Sequence, residues 1–311
     1  MPVITVVIPV YNEEQTLTEL FSRLSALKQQ SAEHTDYEFL LVDDGSVDKS
    51  LEMIYEMAKV DPSFRVISFS RNFGHQAALL AGITHALGEA VVVMDADLQD
   101  PPEVIPRLID AWKNGADVVY AQRAARQGEN FFKKKSAAIF YRLIDWLSDT
   151  DLPRNVGDFR LMDRTVVDQI KDLPERSLYL RGLVAWVGFK QTAVLYDRDP
   201  RFAGETKYSM KKMLALATDA LLSFTEKPLR IVTQIGLAVT TLSFSTLVFF
   251  FATLPFGSHH RVPGWFSMMA AILLLGGVQL ICLGIVGAYV NRIYREAKGR
   301  PIYIVDDRKS R

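Results

Sequence analysis

The 311-residue chain is 49% hydrophobic, enough for a sizeable core in one large domain or two smaller ones. Lys+Arg and Asp+Glu number 36 each, so net charge gives no reason to expect nucleic acid as a partner. The single cysteine, Cys282, excludes an internal disulfide and lies in an apolar run, where a packed, unreactive thiol is expected.

Met1 to Val10 is apolar but has no basic start and runs straight into Asn12-Glu13-Glu14. It reads as a first strand, Val3 to Pro9, rather than a signal peptide. A helix follows from Glu13 to Leu27, with Leu17, Leu20, Phe21 and Leu24 at helical spacing. Tyr37 to Val42 is the next strand, ending in Asp43-Asp44-Gly45-Ser46, and Ser46 or Asp48 is placed to cap a helix reaching Lys59. Further strands are expected at Arg65 to Phe69, Ala90 to Met94 and Ala116 to Ala121, and helices at Ala77 to Leu87 and Val104 to Lys113. Such alternation predicts an α/β fold with a mostly parallel sheet covered on both faces.

The fourth strand stops at Asp95-Ala96-Asp97-Leu98-Gln99-Asp100-Pro101-Pro102, since acids and prolines cannot continue a ladder. Asp95 and Asp97 therefore sit at the carboxyl end of a strand, the edge where open α/β sheets bind ligands. Two carboxylates this close are costly without a cation or proton between them. Hard oxygen ligands suit Mg²⁺ or Mn²⁺, held by one or two carboxylates together with a substrate's phosphates. Asp43 and Asp44 end another strand and share that edge. No Gly-x-Gly-x-x-Gly follows the first strand and no Walker-type lysine loop occurs, which argues against dinucleotide oxidoreductases and P-loop phosphotransferases. A nucleotide whose pyrophosphate is held through a metal fits better.

From Arg123 to Lys135 the chain turns polar and basic, with Arg126, Lys133, Lys134 and Lys135, and is expected to be a mobile loop. Met210, Met213, Leu214, Ala217 and Leu221 form an apolar stripe beside Lys211, Lys212 and Lys227, read as an amphipathic helix on the bilayer surface. No residue is charged from Ile231 to Leu254 or from Val262 to Asn291. Each run exceeds the roughly 20 residues needed to cross a bilayer, so a transmembrane hairpin is expected. Basic residues flank it on the outer sides while its loop holds only Arg261, which places both chain ends in the cytoplasm. The tail Pro301 to Val305 reads as a short strand whose open edge invites pairing with another subunit, hence a homo-oligomer.

Val7-Ile8-Pro9-Val10-Tyr11-Asn12-Glu13, Asp43-Asp44-Gly45-Ser46 and Asp95 to Pro102 resemble the motifs of inverting GT-A glycosyltransferases, family 2. Ser70-Arg71-Asn72-Phe73-Gly74, Asn155 to Arg160 and Arg201 to Tyr208, followed by the hairpin, narrow the likeness to polyprenyl-phosphate glycosyltransferases. These comprise dolichyl-phosphate mannose synthases and, more closely, bacterial undecaprenyl-phosphate glucosyltransferases of the O-antigen glucosylation type. Ser209 departs from the proline that such relatives carry after Lys-Tyr.

The resemblance implies a GT-A, Rossmann-like domain over 1–205, a juxtamembrane helix over 206–228, spans over 229–254 and 265–291 around a loop at 255–264, and a cytoplasmic tail at 292–311. It implies an inner-membrane enzyme moving a hexose from a nucleotide-sugar donor to a polyprenyl-phosphate lipid. Glucose from UDP-glucose onto undecaprenyl phosphate leads, with GDP-mannose and UDP-amino sugars open as donors. Asp95, Asp97 and Gln99 would hold Mg²⁺ or Mn²⁺. Pro9, Tyr11, Glu13, Asp44, Asp95 and Gln99 would hold the donor. Arg201 and Lys207 suit the donor pyrophosphate or the acceptor phosphate, the donor being preferred for Arg201 and the acceptor for Lys207. Arg123 and Ser136 would contact the acceptor phosphate. Asp97 and Asp158 are the catalytic candidates, Asp158 as general base or as a group that orients acceptor or sugar. A processive polysaccharide synthase would need a Gln-x-x-Arg-Trp helix, which is missing. A non-catalytic scaffold is opposed by the intact Asp95, Asp97 and Asp158.

Overall fold

A computed structural model describes residues 3–31, 35–123, 156–173, 180–197, 227–253 and 265–310. In chain order these form β1 (Val3–Val10), α1 (Leu17–Ser31), β2 (Asp36–Asp43), α2 (Ser50–Val60), β3 (Phe64–Ser68), α3 (His75–His85), β4 (Ala90–Val93) and α4 (Ile105–Lys113). Then come β5 (Val118–Arg123), β6 (Val156–Asp163), α5 (Arg164–Asp172), α6 (Leu180–Trp186), β7 (Gln191–Tyr196), α7 (Lys227–Thr253) and α8 (Trp265–Ala297). The strands make one seven-stranded sheet in the order β3-β2-β1-β4-β6-β5-β7. It is a GT-A, Rossmann-like α/β arrangement, with β6 inserted antiparallel between β4 and β5.

The central strands are apolar on both faces because both are covered. Ile4, Val6, Ile8 and Val10 of β1 pack with Phe39, Leu41 and Val92 against α1, α2 and α4. Val7, Leu40, Val42, Val91 and Val93 pack on the opposite face against α3, α5 and α6. Helix α3 lies so close to β1 that a Cβ on Gly82 would come within 2.0 Å of Val7 Cγ1. Gly82→Ala is therefore expected to cost about 1–3 kcal/mol through overpacking, read as a lowered melting temperature of the detergent-solubilised chain.

Helix α1 starts at Leu17, four residues later than the sequence pattern predicts. Glu13 to Thr16 form a turn instead, with the Thr16 and Leu17 N–H groups donating to the Glu13 carbonyl at 3.0 and 3.2 Å. The amides of Glu13 and Glu14 are drawn across to Ser50 Oγ and Asp48 Oδ2, which ties the β1 turn to the β2 turn. Helix α3 starts earlier than predicted, at His75, because Gly74 at φ 103° caps it. Neither Ser46 nor Asp48 is the N-cap of α2, which is Lys49. Ser46 Oγ accepts from Asn12 N–H, and Asp48 Oδ1 accepts from Ser50 N–H.

α7 and α8 touch one another and present large apolar side chains outward, among them Leu237, Leu242, Phe244, Leu280, Ile281 and Leu283. Among the described residues, Leu275–Ala297 is long and apolar enough to cross a membrane. The expected loop at 123–135, apart from Arg123, and the juxtamembrane stripe at 210–221 lie outside the described residues. The expected tail strand is reduced to a single antiparallel bridge, Val305 to Phe69 just past β3, so the segment lies against the chain's own sheet.

Candidate active site

The ends of β1, β2 and β4 meet at one edge of the sheet, as parallel pairing requires. Val10 is in register with Asp43, and Val7 with Val93. On the other side β6 runs antiparallel, pairing Val93 with Arg160, and continuing that register sets Asp158 level with Asp95. An acid that follows β4 and one within the inserted β6 therefore face the same edge. Met94 N–H still donates to the Val7 carbonyl at 3.1 Å, so the ladder ends immediately before Asp95.

The turn that follows is tight. Asp97 Oδ1 accepts from Gln99 N–H at 3.1 Å, and Leu98, fully buried, is held at φ 58°, a conformation that costs a non-glycine residue energy. Asp100 is buried and accepts a hydrogen bond from the Tyr196 hydroxyl, which anchors the turn to β7. Burial and the neighbouring Asp100 carboxylate push the Tyr196 hydroxyl well above its usual value, so it stays a donor.

Asp95 is the member of the set whose inner oxygen lacks a hydrogen bond. Its side chain is 31% exposed, yet Oδ1 is shut off from solvent and accepts no hydrogen bond. Burial pushes its carboxyl up to about 6; His75 opposes this, and Asp158, Asp100 and Asp97 add to it. His75 Nε2 stands 3.5 Å from Asp95 Oδ1 and also 3.5 Å from Asp158 Oδ2. Burial alone would lower the imidazole, but Asp158 and Asp95 outweigh it and the net shift is upward.

Asp158 is buried, only 7% of its side chain being exposed, and is gripped on both oxygens. Arg181 Nε donates to Oδ1 at 2.7 Å and Arg181 Nη2 to Oδ2 at 3.0 Å. Burial would raise this carboxyl, but the His75 hydrogen bond and the Arg181 and Arg160 guanidinium groups hold it far below the carboxylate range. Asp158 is thus an anion at any working pH and a weak proton acceptor. Neither His75 nor Arg181 stood out in the sequence. The Ser70 to Gly74 motif ends one residue short of His75, and nothing local marks Arg181 on its short helix.

The donor candidates occupy the β1 and β2 turns. Pro9 is a buried β1 residue; β4 ends at Val93 opposite Val7, so on that side Pro9 has no ladder partner to lose. Tyr11 is exposed, and Asn12 at φ 54° accepts from Val47 N–H through its side chain. Asp44 is buried and accepts from the Phe73 and Gly74 amides at 2.7 and 3.0 Å, binding the turn to the Ser70 to Gly74 loop. Burial pushes its carboxyl up, and those two amides hold it down in part. Gly45, at φ 69°, passes so near that loop that a Cβ would lie 2.5 Å from the Arg71 carbonyl carbon.

Arg123 closes β5. A Cβ on Gly157 would come within 2.9 Å of its Nη2, and its Nε is buried without a hydrogen-bond partner. Ser136, Arg201 and Lys207 lie outside the described residues.

Among the described residues no group of three or more His, Cys, Asp or Glu side chains forms a closed ligand set. The shielded Asp95 oxygen and the adjacent Asp97 instead suit a hard divalent cation that takes two protein carboxylates and completes its shell with phosphate and water. Such an ion must displace the proton that Asp95 favours below about 6. Mn²⁺ binding to the full-length protein is accordingly expected to weaken from about pH 7.5 to about pH 5 with proton release, as calorimetry would show. Equal affinity at both values would exclude Asp95 as a ligand.

This edge, with its strand-end acids and antiparallel β6, belongs to a sugar-transferring fold. The family model described as glycosyl transferase family 2 matches residues 5–171, and that described as the GtrB C-terminal hairpin matches residues 227–293. The chain belongs to glycosyltransferase family 2 and is a hexosyltransferase. It is 50% identical over 97% of its length, and 92% of the relative's, to a protein of Bacillus subtilis named uncharacterized glycosyltransferase YkcC. It is 43% identical to the bactoprenol glucosyl transferase of Shigella phage SfX, covering 98% of this chain and 99% of that one. The prophage bactoprenol glucosyl transferase homolog of Escherichia coli is 42% identical over 97% of this chain and 98% of its own.

Proposed function

We propose that the protein transfers a hexose, glucose from UDP-glucose, onto undecaprenyl phosphate at the cytoplasmic face of the inner membrane, inverting the anomeric centre. The observation that carries this reading is the shielded Asp95 oxygen at the strand edge, which accepts no hydrogen bond, in a chain alike over nearly its whole length to proteins named bactoprenol glucosyl transferase. The apolar α7 and α8 support a membrane hairpin over 229–254 and 265–291, with the catalytic domain at 1–205, the juxtamembrane helix at 206–228 and the tail at 292–311 on the cytoplasmic side.

In this reading Asp95, Asp97 and Gln99 hold Mg²⁺ or Mn²⁺, which when bound neutralises charge on the departing nucleoside diphosphate. Pro9, Tyr11, Glu13 and Asp44 hold the nucleoside, and Arg201 the diphosphate. Arg123, Ser136 and Lys207 hold the acceptor phosphate. An oxygen of that phosphate attacks the anomeric carbon while the bond to the diphosphate breaks, its electron pair leaving with the nucleotide. The acceptor is already an anion near neutral pH, so no base is required. Asp158, locked by Arg181 and beside His75, acts as a fixed anion that orients the reacting groups.

The test supplies membranes containing the protein with undecaprenyl phosphate, Mg²⁺ or Mn²⁺, and radiolabelled UDP-glucose, GDP-mannose or UDP-GlcNAc in parallel. Label entering lipid from UDP-glucose alone is expected. Label from GDP-mannose or UDP-GlcNAc instead would overturn the choice of sugar, and no labelled lipid from any donor would overturn the reaction.

A further inference from the structure

The chain after α8 returns to the catalytic sheet. Gly299, at φ 63°, ends the helix with its N–H on the Glu296 carbonyl, and Pro301 starts an extended segment. Ile304 accepts from Ser70 N–H at 3.0 Å, and Asp306 N–H donates to the Ser68 carbonyl at 2.8 Å, on either side of the Val305–Phe69 bridge. Ser310 Oγ accepts from Ser68 N–H at 3.1 Å. The Tyr303 ring stacks on Phe69 at 5.0 Å, and Phe69 meets Phe73 edge-on at 5.7 Å.

The residues so held are those that shape the donor side of the site. Ser68 Oγ donates to Asp43 Oδ2 at 3.0 Å, and Phe69 N–H donates to the Asp43 carbonyl at 2.9 Å. The Phe73 and Gly74 amides hold Asp44, and Gly74 caps the helix whose first residue, His75, faces Asp95 and Asp158. Five residues separate Phe69, which the tail grips, from His75 at the reacting centre. The loop follows β3, the outer strand of the sheet, and the tail lies on its far side from β2.

We propose that residues 301–310 are a positioning strap: the end of the membrane hairpin fixes the Ser68 to His75 segment and so sets the affinity of the donor pocket, with Tyr303 as its key side chain. The inference rests on the sugar-transfer reading for its kinetics but not for its structural readout. Tyr303 touches no reacting group and acts through Phe69 and the loop.

The test uses the full-length protein in lipid nanodiscs, as parent, Tyr303→Ala and Tyr303→Phe. In Tyr303→Ala the Phe73 and Gly74 amides are expected to exchange hydrogen about tenfold faster than in the parent, because a local opening becomes easier. KM for whichever sugar nucleotide the parent transfers is expected to rise about fivefold or more, with KM for undecaprenyl phosphate unchanged. Tyr303→Phe, which keeps the stacked ring, is expected to restore both. Asp306→Pro, which removes the amide donated to Ser68, reports independently on the backbone contacts and is expected to behave as Tyr303→Ala does. Unchanged exchange at Phe73 and Gly74 in both Tyr303→Ala and Asp306→Pro would overturn the strap. So would faster exchange with both KM values at the parental level, or a fall in kcat alone. Failure of the parent to label any lipid would strike the sugar-transfer reading, while the exchange result would still decide the strap.

Discussion

Asp97→Ala is expected to lower sugar transfer to lipid by about 10²–10³-fold or more, the scale on which loss of stabilisation for developing charge is felt. The reason is local. Asp97 lies in the turn immediately past the β4 ladder, beside the Asp95 oxygen that accepts no hydrogen bond among the described residues. Without Asp97 the cation loses one of the two carboxylates at this edge, and Asp95, which His75 already faces, is left to hold it alone. Asp97 is only partly buried, so its loss is expected to leave the melting temperature close to that of the parent. Mn²⁺ affinity should fall with activity. A variant that transfers sugar as well as the parent would remove Asp97 from the mechanism.

Arg181→Ala carries the second large effect, a loss of about 10²–10³-fold in kcat. In the folded chain Asp158 is held far below its unfolded value. Such a carboxylate contributes stability above its unfolded pKa and loses it as pH falls through its folded pKa, here below any working pH. The parent therefore shows no acid limb due to Asp158. Removing Arg181 leaves Asp158 buried with fewer cations, burial becomes the stronger influence, and its pKa climbs into the working range. The kcat profile between about pH 5 and 8 should then fall on the acid side, where Asp158 takes up a proton. A profile parallel to the parent's, at any level of activity, would show that Arg181 does not set the charge of Asp158.

The parts of this site that were legible in the sequence are those written locally. Val91 to Val93 is an apolar run ended by acids, and it forms a strand ended by acids. Asp43 and Asp44 end β2 for the same reason, and parallel pairing then places both turns on one edge. Asp158 could be named from its motif, but its position level with Asp95 depends on β6 entering the sheet antiparallel between β4 and β5. That pairing joins residues some seventy apart and leaves no local trace. His75 was hidden by the helix boundary: the apolar pattern starts at Ala77, while the glycine cap starts the helix at His75. Arg181 pairs with Asp158 across 23 positions, and no helical or strand period connects them. Residues 301–305 read as a strand, yet only Val305 makes a bridge; whether such a segment meets another subunit or its own sheet is not written in the sequence. Only the fold brings Val305 beside Phe69.

The central claim is that the sugar alone moves and the lipid keeps its own single phosphate. It is tested most directly with the purified full-length protein in liposomes containing undecaprenyl phosphate, Mn²⁺ and UDP-glucose, following the released nucleotide and the mass of the lipid product. UDP released in equal amount to a lipid carrying one phosphate and one hexose is the expected result. UMP release with a diphosphate-linked lipid, or nucleotide turnover that leaves the lipid unchanged, would contradict it.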